Sequence, residues 1–137
     1  MREETADGRI AGVLGLAPGA AVWVRSRRFV LDGKPVMVAV SWLPGELVAG
    51  SAITEVDTGP GGTYARLAEL GAAPVRFREE IRSRMPSADE AGRLVLGVGT
   101  PVVVIVRTAF AADGRVVEVN EMTLDSGSYV LEYDFEA

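Results

Sequence analysis

AVWVRSRRFVLDGKPVMVAVSWLP, residues 21–44, is the stretch on which the reading of this chain turns. Asp32-Gly33 sits at its centre, and such a pair supplies the positive φ that a tight two-residue turn needs. The flanks are rich in Val, Trp and Phe, so the stretch reads as a long β-hairpin. Alternation along the first arm puts Trp23, Arg25, Arg27, Phe29 and Leu31 on one face, and Val22, Val24, Ser26, Arg28 and Val30 on the other. Two arginines therefore share a face with three large apolar side chains. A guanidinium held beside buried apolar groups requires an anionic partner, either a protein carboxylate or a ligand.

Working outward, the whole chain of 137 residues fits one domain. Hydrophobic residues at 48% allow a substantial core, and 24% charged residues exclude disorder as a description of the whole. A net charge of −5 argues against a general nucleic-acid binder. There is no cysteine and no histidine. That removes disulfides, thiolate chemistry, Ser-His-Asp and Cys-His arrangements, the usual neutral-pH base and the commonest metal ligand. A metal site would have to be all-oxygen, and no EF-hand loop is present, so neither metal nor cofactor is expected. The apolar run at 102–106 is too short to span a bilayer, and Met1 to Ile10 lacks an apolar core. The expected location is the cytoplasm, away from membranes.

Residues 1–12 read as a flexible lead-in, continued to a turn at Pro18-Gly19. After the hairpin, GELVAGSAITEVD has no clear period beyond a short helical turn, and TGPGG (58–62) breaks the chain. Thr63–Leu70 reads as a short helix stopped by Gly71. Pro74–Met85 alternates as a strand, with Arg76, Arg78, Glu80, Arg82 and Arg84 on one face and Val75, Phe77, Glu79, Ile81, Ser83 and Met85 on the other. Ser87 with Glu90 forms a capping-box pattern before a helix ending at Gly97. A second hairpin, Thr100 to Asp125, turns at Asp113-Gly114, and a last strand is expected from Ser128 to Phe135. The fold class is α+β: a mostly antiparallel sheet with helices on one face. The two Asp-Gly hairpins reflect either an internal repeat or convergent turn chemistry.

Each candidate for chemistry has a plain structural alternative. TGPGGTY, at a helix N-terminus, suits an anion or is only a cap, and it is neither a phosphate-binding nor a dinucleotide fingerprint. Arg25 and Arg27 either clamp a carboxylate or phosphate or extend their heads into solvent. Arg107 alternates with Val103 and Ile105, so it lies inside or marks where that face emerges. Glu79 is the one ionisable group on a mostly apolar face, and Glu118 shares a face with Val116, Asn120, Met122 and Leu124. An unpaired buried carboxylate is costly, so each of the two lies near an edge, pairs with an arginine or lines a wet pocket.

In their order and spacing the motifs resemble a known family. LGLAPGAAVWVRSRR, DGKPV, WLP, GGTYARLAEL, FREEIRSRMPSADEAGRLVLGVGTPVVVIVRTAF and DGRVVEVNEMTLDSGSYVLEYDF resemble the UTRA domain, the effector-sensing half of HutC-type GntR transcriptional regulators. The resemblance runs over residues 13–135 and extends to the chain end as a domain of residues 13–137. It implies a chorismate-lyase-like α+β fold, a homodimer, a small-molecule effector and no catalysis. It implies DNA binding only through an N-terminal winged helix-turn-helix domain, for which residues 1–20 offer no counterpart. The chain is then a fragment or a stand-alone sensor. By position it makes Arg27, Glu79 and Glu118 ligand groups, with the amides of Gly62, Thr63 and Tyr64 at the rim. Arg25, Arg107 and Tyr129 are further members. Phe29 stands where a second arginine is common in sugar-phosphate binders, and Gly62 stands where a serine is often found. The expected ligand is therefore a small anionic or zwitterionic metabolite rather than a phosphosugar. The alternative class is a cofactor-free, chorismate-lyase-like enzyme, which needs little beyond buried arginines and a carboxylate.

Overall fold

The computed structural model describes residues 2–55 and 57–137; Met1 of the expected lead-in and Val56 of the mixed stretch lie outside the described residues. The elements in order are β1 (Arg2–Thr5), α1 (Gly8–Leu14), β2 (Ala21–Leu31), β3 (Lys34–Pro44), α2 (Gly45–Val48), α3 (Gly62–Glu69), β4 (Pro74–Arg84), α4 (Ala88–Arg93), β5 (Val102–Ala111) and β6 (Val116–Asp125). Short 3-10 turns span Ala52–Thr54 and Ser126–Ser128. The six strands form one sheet in the order β1-β2-β3-β6-β5-β4, and every neighbouring pair is antiparallel.

The first hairpin closes as its sequence demands. Asp32 and Gly33 have φ of 51° and 77°, so both central residues occupy the left-handed region that a two-residue turn of matching twist requires. The second hairpin has a loop one residue longer: Ala111 and Arg115 close it, and Gly114 (φ 86°) takes the left-handed position.

The similarity of the two hairpins extends well beyond their turns. Ala11-Gly12-x-Leu14-x-Leu16 recurs as Ala91-Gly92-x-Leu94-x-Leu96, each run ending one short helix. Asp7 caps α1 and Ser87 caps α4 from equivalent positions. Each hairpin carries a bulge at the same place, after Phe29 opposite Val36 and after Ala109 opposite Val117. The unit strand–helix–strand–strand thus occurs twice. The halves meet at β3 and β6, where Val40 faces its own counterpart Glu121 across a pseudo-twofold axis. Turn chemistry alone produces neither matching bulges nor matching caps, so the internal repeat is the better account.

Several expectations are corrected. Residues 2–14 are not a flexible lead-in. Arg2–Thr5 pairs with β2, and α1 buries Ile10, Ala11 and Leu14 against Val22, Val24 and Val119. The strand REET buries none of its own side chains, so its hydrogen-bonding template is β2. Helices cover both faces rather than one. α1 lies on the Val22/Val24 face, while α2 and α3 bring Val48 and Leu67 onto Leu43, Ala109 and Val117 of the other. The helix after Ser87 stops at Arg93 instead of Gly97, because Val95 turns to φ 51°. Val116 does not share a face with Glu118. The bulge moves Val117 to Glu118's side and Val116 to the α1 side. Residues 129–137 form no strand. They leave β6 and cross the sheet, packing Tyr129 near Ile105 and Met122.

Candidate functional site

The face opposite α1 carries one polar row across five strands. Arg25 pairs with Ser41, Ser41 with Asn120, Asn120 with Arg107, and Arg107 with Glu79. An apolar row flanks it, Ala39, Met122, Ile105 and Ile81, with Arg27 at its β2 end. On the other side Trp23 pairs with Leu43, and Glu118 with Ala109. The first turn of α3 closes over this surface. A cavity of about 200 Å3 results, lined by Arg27, Arg107, Glu118 and Asn120 from the sheet and by Gly61, Thr63 and Tyr64 from the start of α3. The glycines before α3 are conformationally required. Gly61 (φ 84°) and Gly62 (φ 67°) take left-handed backbone, and a Cβ on Gly61 would lie 2.6 Å from Ala65.

Glu118 is the deepest charged group, 3% exposed. It accepts a hydrogen bond from the Tyr64 hydroxyl at 3.1 Å, and the Ser41 hydroxyl lies beside it. Ser41 in turn accepts from Arg27 Nη2 at 2.8 Å. Burial pushes the Glu118 carboxyl above its ordinary range, opposed by Tyr64, Ser41, Arg27 and Arg107. The same burial, with the adjacent carboxylate, raises the Tyr64 phenol to about 12, so it remains a donor. Burial also works against the charge on Arg27, and Glu118 offsets part of that cost. Among the residues lining the cavity, two buried polar atoms have no protein partner: Nε of Arg27 and Oδ1 of Asn120, the latter on a residue only 8% exposed. Orphaned buried donors and acceptors are costly and mark places where a ligand or water completes the bonding.

The expected residues separate into three groups. Arg27, Glu118, Thr63, Tyr64 and Arg107 line the cavity together, while Gly61 rather than Gly62 contributes the glycine wall. Glu79 and Glu118 share a face, but Glu79 stands outside the cavity. It lies 3.7 Å from Arg107 and accepts from the Tyr133 hydroxyl at 3.0 Å. Arg25 lies on the same face and bonds the Glu55 carbonyl at 2.9 Å. Tyr129 belongs to the apolar cluster of Ala39, Ile105, Met122 and Leu124 and does not line the cavity. Arg27 donates to Ser41 Oγ and makes no ion pair with a carboxylate among the described residues. Sequence reasoning missed Ser41 and Asn120 as site residues. Alternation on the second arm would have placed Ser41 on the arginine face.

Comparison with known proteins gives a consistent picture. The family model of the UTRA domain matches residues 1–129. The chain is 34% identical over 134 residues to the HTH-type transcriptional regulator SCO4628 of Streptomyces coelicolor, covering 96% of this chain and 50% of that protein. It is 31% identical over 114 residues to the transcriptional repressor PhnF of Mycolicibacterium smegmatis, covering 83% of this chain and 46% of PhnF. The crystal structure of the PhnF effector domain superposes with a TM-score of 0.86 at 26% identity, covering 99% of this chain and 83% of that one. The chain thus spans about half the length of the curated relatives it matches. These relatives and neighbours are transcriptional regulators and their effector domains, not enzymes.

Proposed function

The chain belongs to the UTRA domain family, and on that footing we propose that it is the effector-sensing and dimerising part of a GntR-type transcriptional regulator. Its DNA binding resides in a winged helix-turn-helix domain outside these residues. The observation that carries the sensing role is the cavity, where two guanidiniums, a buried carboxylate and an unpartnered Asn120 Oδ1 converge. Such convergent polar groups in a partly enclosed site suit a ligand better than a packed core. At about 200 Å3 the space favours a small molecule.

The chemistry of the walls narrows the class. Arg27 and Arg107 donate to a carboxylate or similar anion. Glu118 and Asn120 Oδ1 accept from a hydroxyl or ammonium on the same molecule. Phe29 adds an apolar ring beside Arg27, 5.9 Å from its guanidinium carbon, where a further cation would be needed for a phosphate dianion. A small hydroxy or amino acid fits this set better than a phosphosugar.

The sheet edge supports the dimer. β4 is an outer strand, eleven residues long, with Phe77, Ile81 and Met85 exposed. An exposed apolar edge of that length invites pairing with a second copy.

Thermal unfolding tests the sensor. 2-Hydroxy and 2-amino monocarboxylic acids and a hexose 6-phosphate are the probes. A binder at a hundredfold excess over its dissociation constant stabilises by about 2.7 kcal/mol. Arg27→Ala and Arg107→Ala should each abolish the shift. A shift from the hexose phosphate alone, or one that survives both substitutions, would overturn the ligand reading.

A further inference from the structure

Arg107 stands between two carboxylates. Toward the cavity its charge acts on Glu118, and it lies beside the Tyr64 hydroxyl. Toward the sheet edge it is the direct cross-strand partner of Glu79, with Nη2 3.7 Å from Oε1. That spacing is too long for a hydrogen bond, so Glu79 neutralises the guanidinium without fastening it. The other oxygen of Glu79, Oε2, accepts from the Tyr133 hydroxyl at 3.0 Å, which holds the carboxylate in place. The side chains of Arg107 and Glu79 are 33% and 21% exposed, so solvent screens the pair only in part.

The internal repeat makes the position of Glu79 informative. Arg27 of β2 and Arg107 of β5 occupy equivalent places in the two halves, and both line the cavity. Their charges are nevertheless not equivalent. Glu118 acts on both arginines, but among the described residues Arg107 alone of the two has a second carboxylate, Glu79, within ion-pair distance. Arg27 instead donates to the neutral hydroxyl of Ser41. A ligand therefore meets Arg107 with part of its charge already cancelled from outside the cavity.

We propose that Glu79 sets the net charge the cavity accepts: without reaching the ligand, it offsets Arg107 and so selects a zwitterion, a 2-amino acid, over the 2-hydroxy acid of the same carbon skeleton. Arg27 and Arg107 stand against Glu118 and Glu79, a balance that suits a molecule with separated charges and no net charge. The carboxylate of such a molecule falls to the arginines, and its ammonium to Glu118 and Asn120 Oδ1. Taking Glu79 away adds one unit of positive charge beside the cavity, whichever protonation state Glu118 holds. That change favours an anion more than a zwitterion. The proposal rests on the small-acid reading above and adds which acid the site prefers and which residue decides it.

Calorimetric titration with matched pairs, alanine against lactate and leucine against 2-hydroxy-4-methylpentanoate, tests it on the unmodified chain and on Glu79→Gln, with melting curves to confirm that the variant folds. The unmodified chain should bind the amino acid of a pair more tightly; a tighter hydroxy acid overturns the proposal. Glu79→Gln should move the ratio of the two dissociation constants toward the hydroxy acid by at least about threefold. A purely structural loss weakens both members of a pair alike, and a ratio left fixed in this way overturns the proposal too. Glu80→Gln, on the opposite face of β4, removes the same charge and should leave the ratio unchanged; an equal shift there would reduce the effect to overall charge. A second readout needs no ligand. In Glu79→Gln the undivided charge of Arg107 should lower the titration midpoint of Glu118, followed by carbon-13 NMR. An unchanged midpoint overturns the sharing of Arg107 whether or not a probe binds. A lowered midpoint with no probe bound removes the small-acid reading, and the preference with it, while the sharing of Arg107 stands.

Discussion

Replacing Val95 with glycine is expected to stabilise the domain. Val95 follows α4 and has φ 51°, and a β-branched residue rarely adopts that backbone. It does so here because the helix ends in a Schellman-type cap: Leu96 N–H bonds the Ala91 carbonyl at 2.9 Å, and Val95 N–H bonds Gly92 at 3.3 Å. The equivalent position in the other half is Gly15, with φ 67° and the matching bonds to Ala11 and Gly12. Left-handed backbone costs a non-glycine residue about 1–2 kcal/mol. Glycine carries about 0.5–1 kcal/mol of extra unfolded-state entropy. Val95 is 66% exposed, so little burial is lost, and the net gain is about 0.5–1 kcal/mol. That corresponds to a rise of about 2–4 °C in Tm for a domain of this size. The reciprocal change, Gly15→Val, should lower stability by a similar or larger amount. A Cβ there meets nothing within 4 Å, so the cost is backbone strain rather than a clash. Calorimetry on both variants checks the pair. Equal Tm values for Val95→Gly and the unmodified chain, with Gly15→Val neutral as well, would refute the strain argument and the structural equivalence of the two caps.

Other expectations concern charge and the cavity. Glu118 holds its proton more tightly folded than unfolded, so its contribution favours folding as pH falls and turns unfavourable as pH rises through its folded value. Glu118→Gln should flatten that slope and raise stability at neutral pH relative to the parent, read from denaturant midpoints across pH; an unchanged slope would remove Glu118 as its source. Tyr64→Phe strips a donor from that buried carboxylate and should cost about 1–3 kcal/mol in urea unfolding, a loss that disappears in a Glu118→Leu background, which offers no acceptor, if the hydrogen bond is its cause. Glu90 behaves oppositely to Glu118. Arg84 and the Ser87 amide lower it from 4.5 to about 2, so its stabilisation is complete above pH 4.5 and is lost as pH falls toward 2. Glu90→Ala should cost about 1 kcal/mol at neutral pH and little at pH 2, by the same unfolding assay.

What was legible in the sequence was local. Asp32-Gly33, Asp113-Gly114, the Ser87–Glu90 capping box and Gly71 after α3 each act through residues a few positions apart, and each is found where its chemistry predicts. Alternation put Arg27, Glu79 and Glu118 each among the apolar residues of its own strand, because side-chain direction within a strand follows parity, while the resemblance to the family brought the three together. Parity failed at Val116, where the bulge inserts a residue that no local signal announces.

The sequence by itself therefore determined the hairpins, their turns, the caps and the family. The tertiary structure decided which residues share the cavity. Ser41, Asn120 and Arg107 become neighbours only because the hairpins meet through β3 and β6 in one register, and a one-residue slip there would turn Ser41 or Asn120 away. It also decided that REET becomes a strand while YVLEYDFEA does not. The first finds the edge of β2 beside it, whereas the second is laid across the sheet with its Tyr133 hydroxyl on Glu79. A strand exists only where a partner edge supplies hydrogen bonds, and which edges lie within reach is a property of the whole fold rather than of any segment.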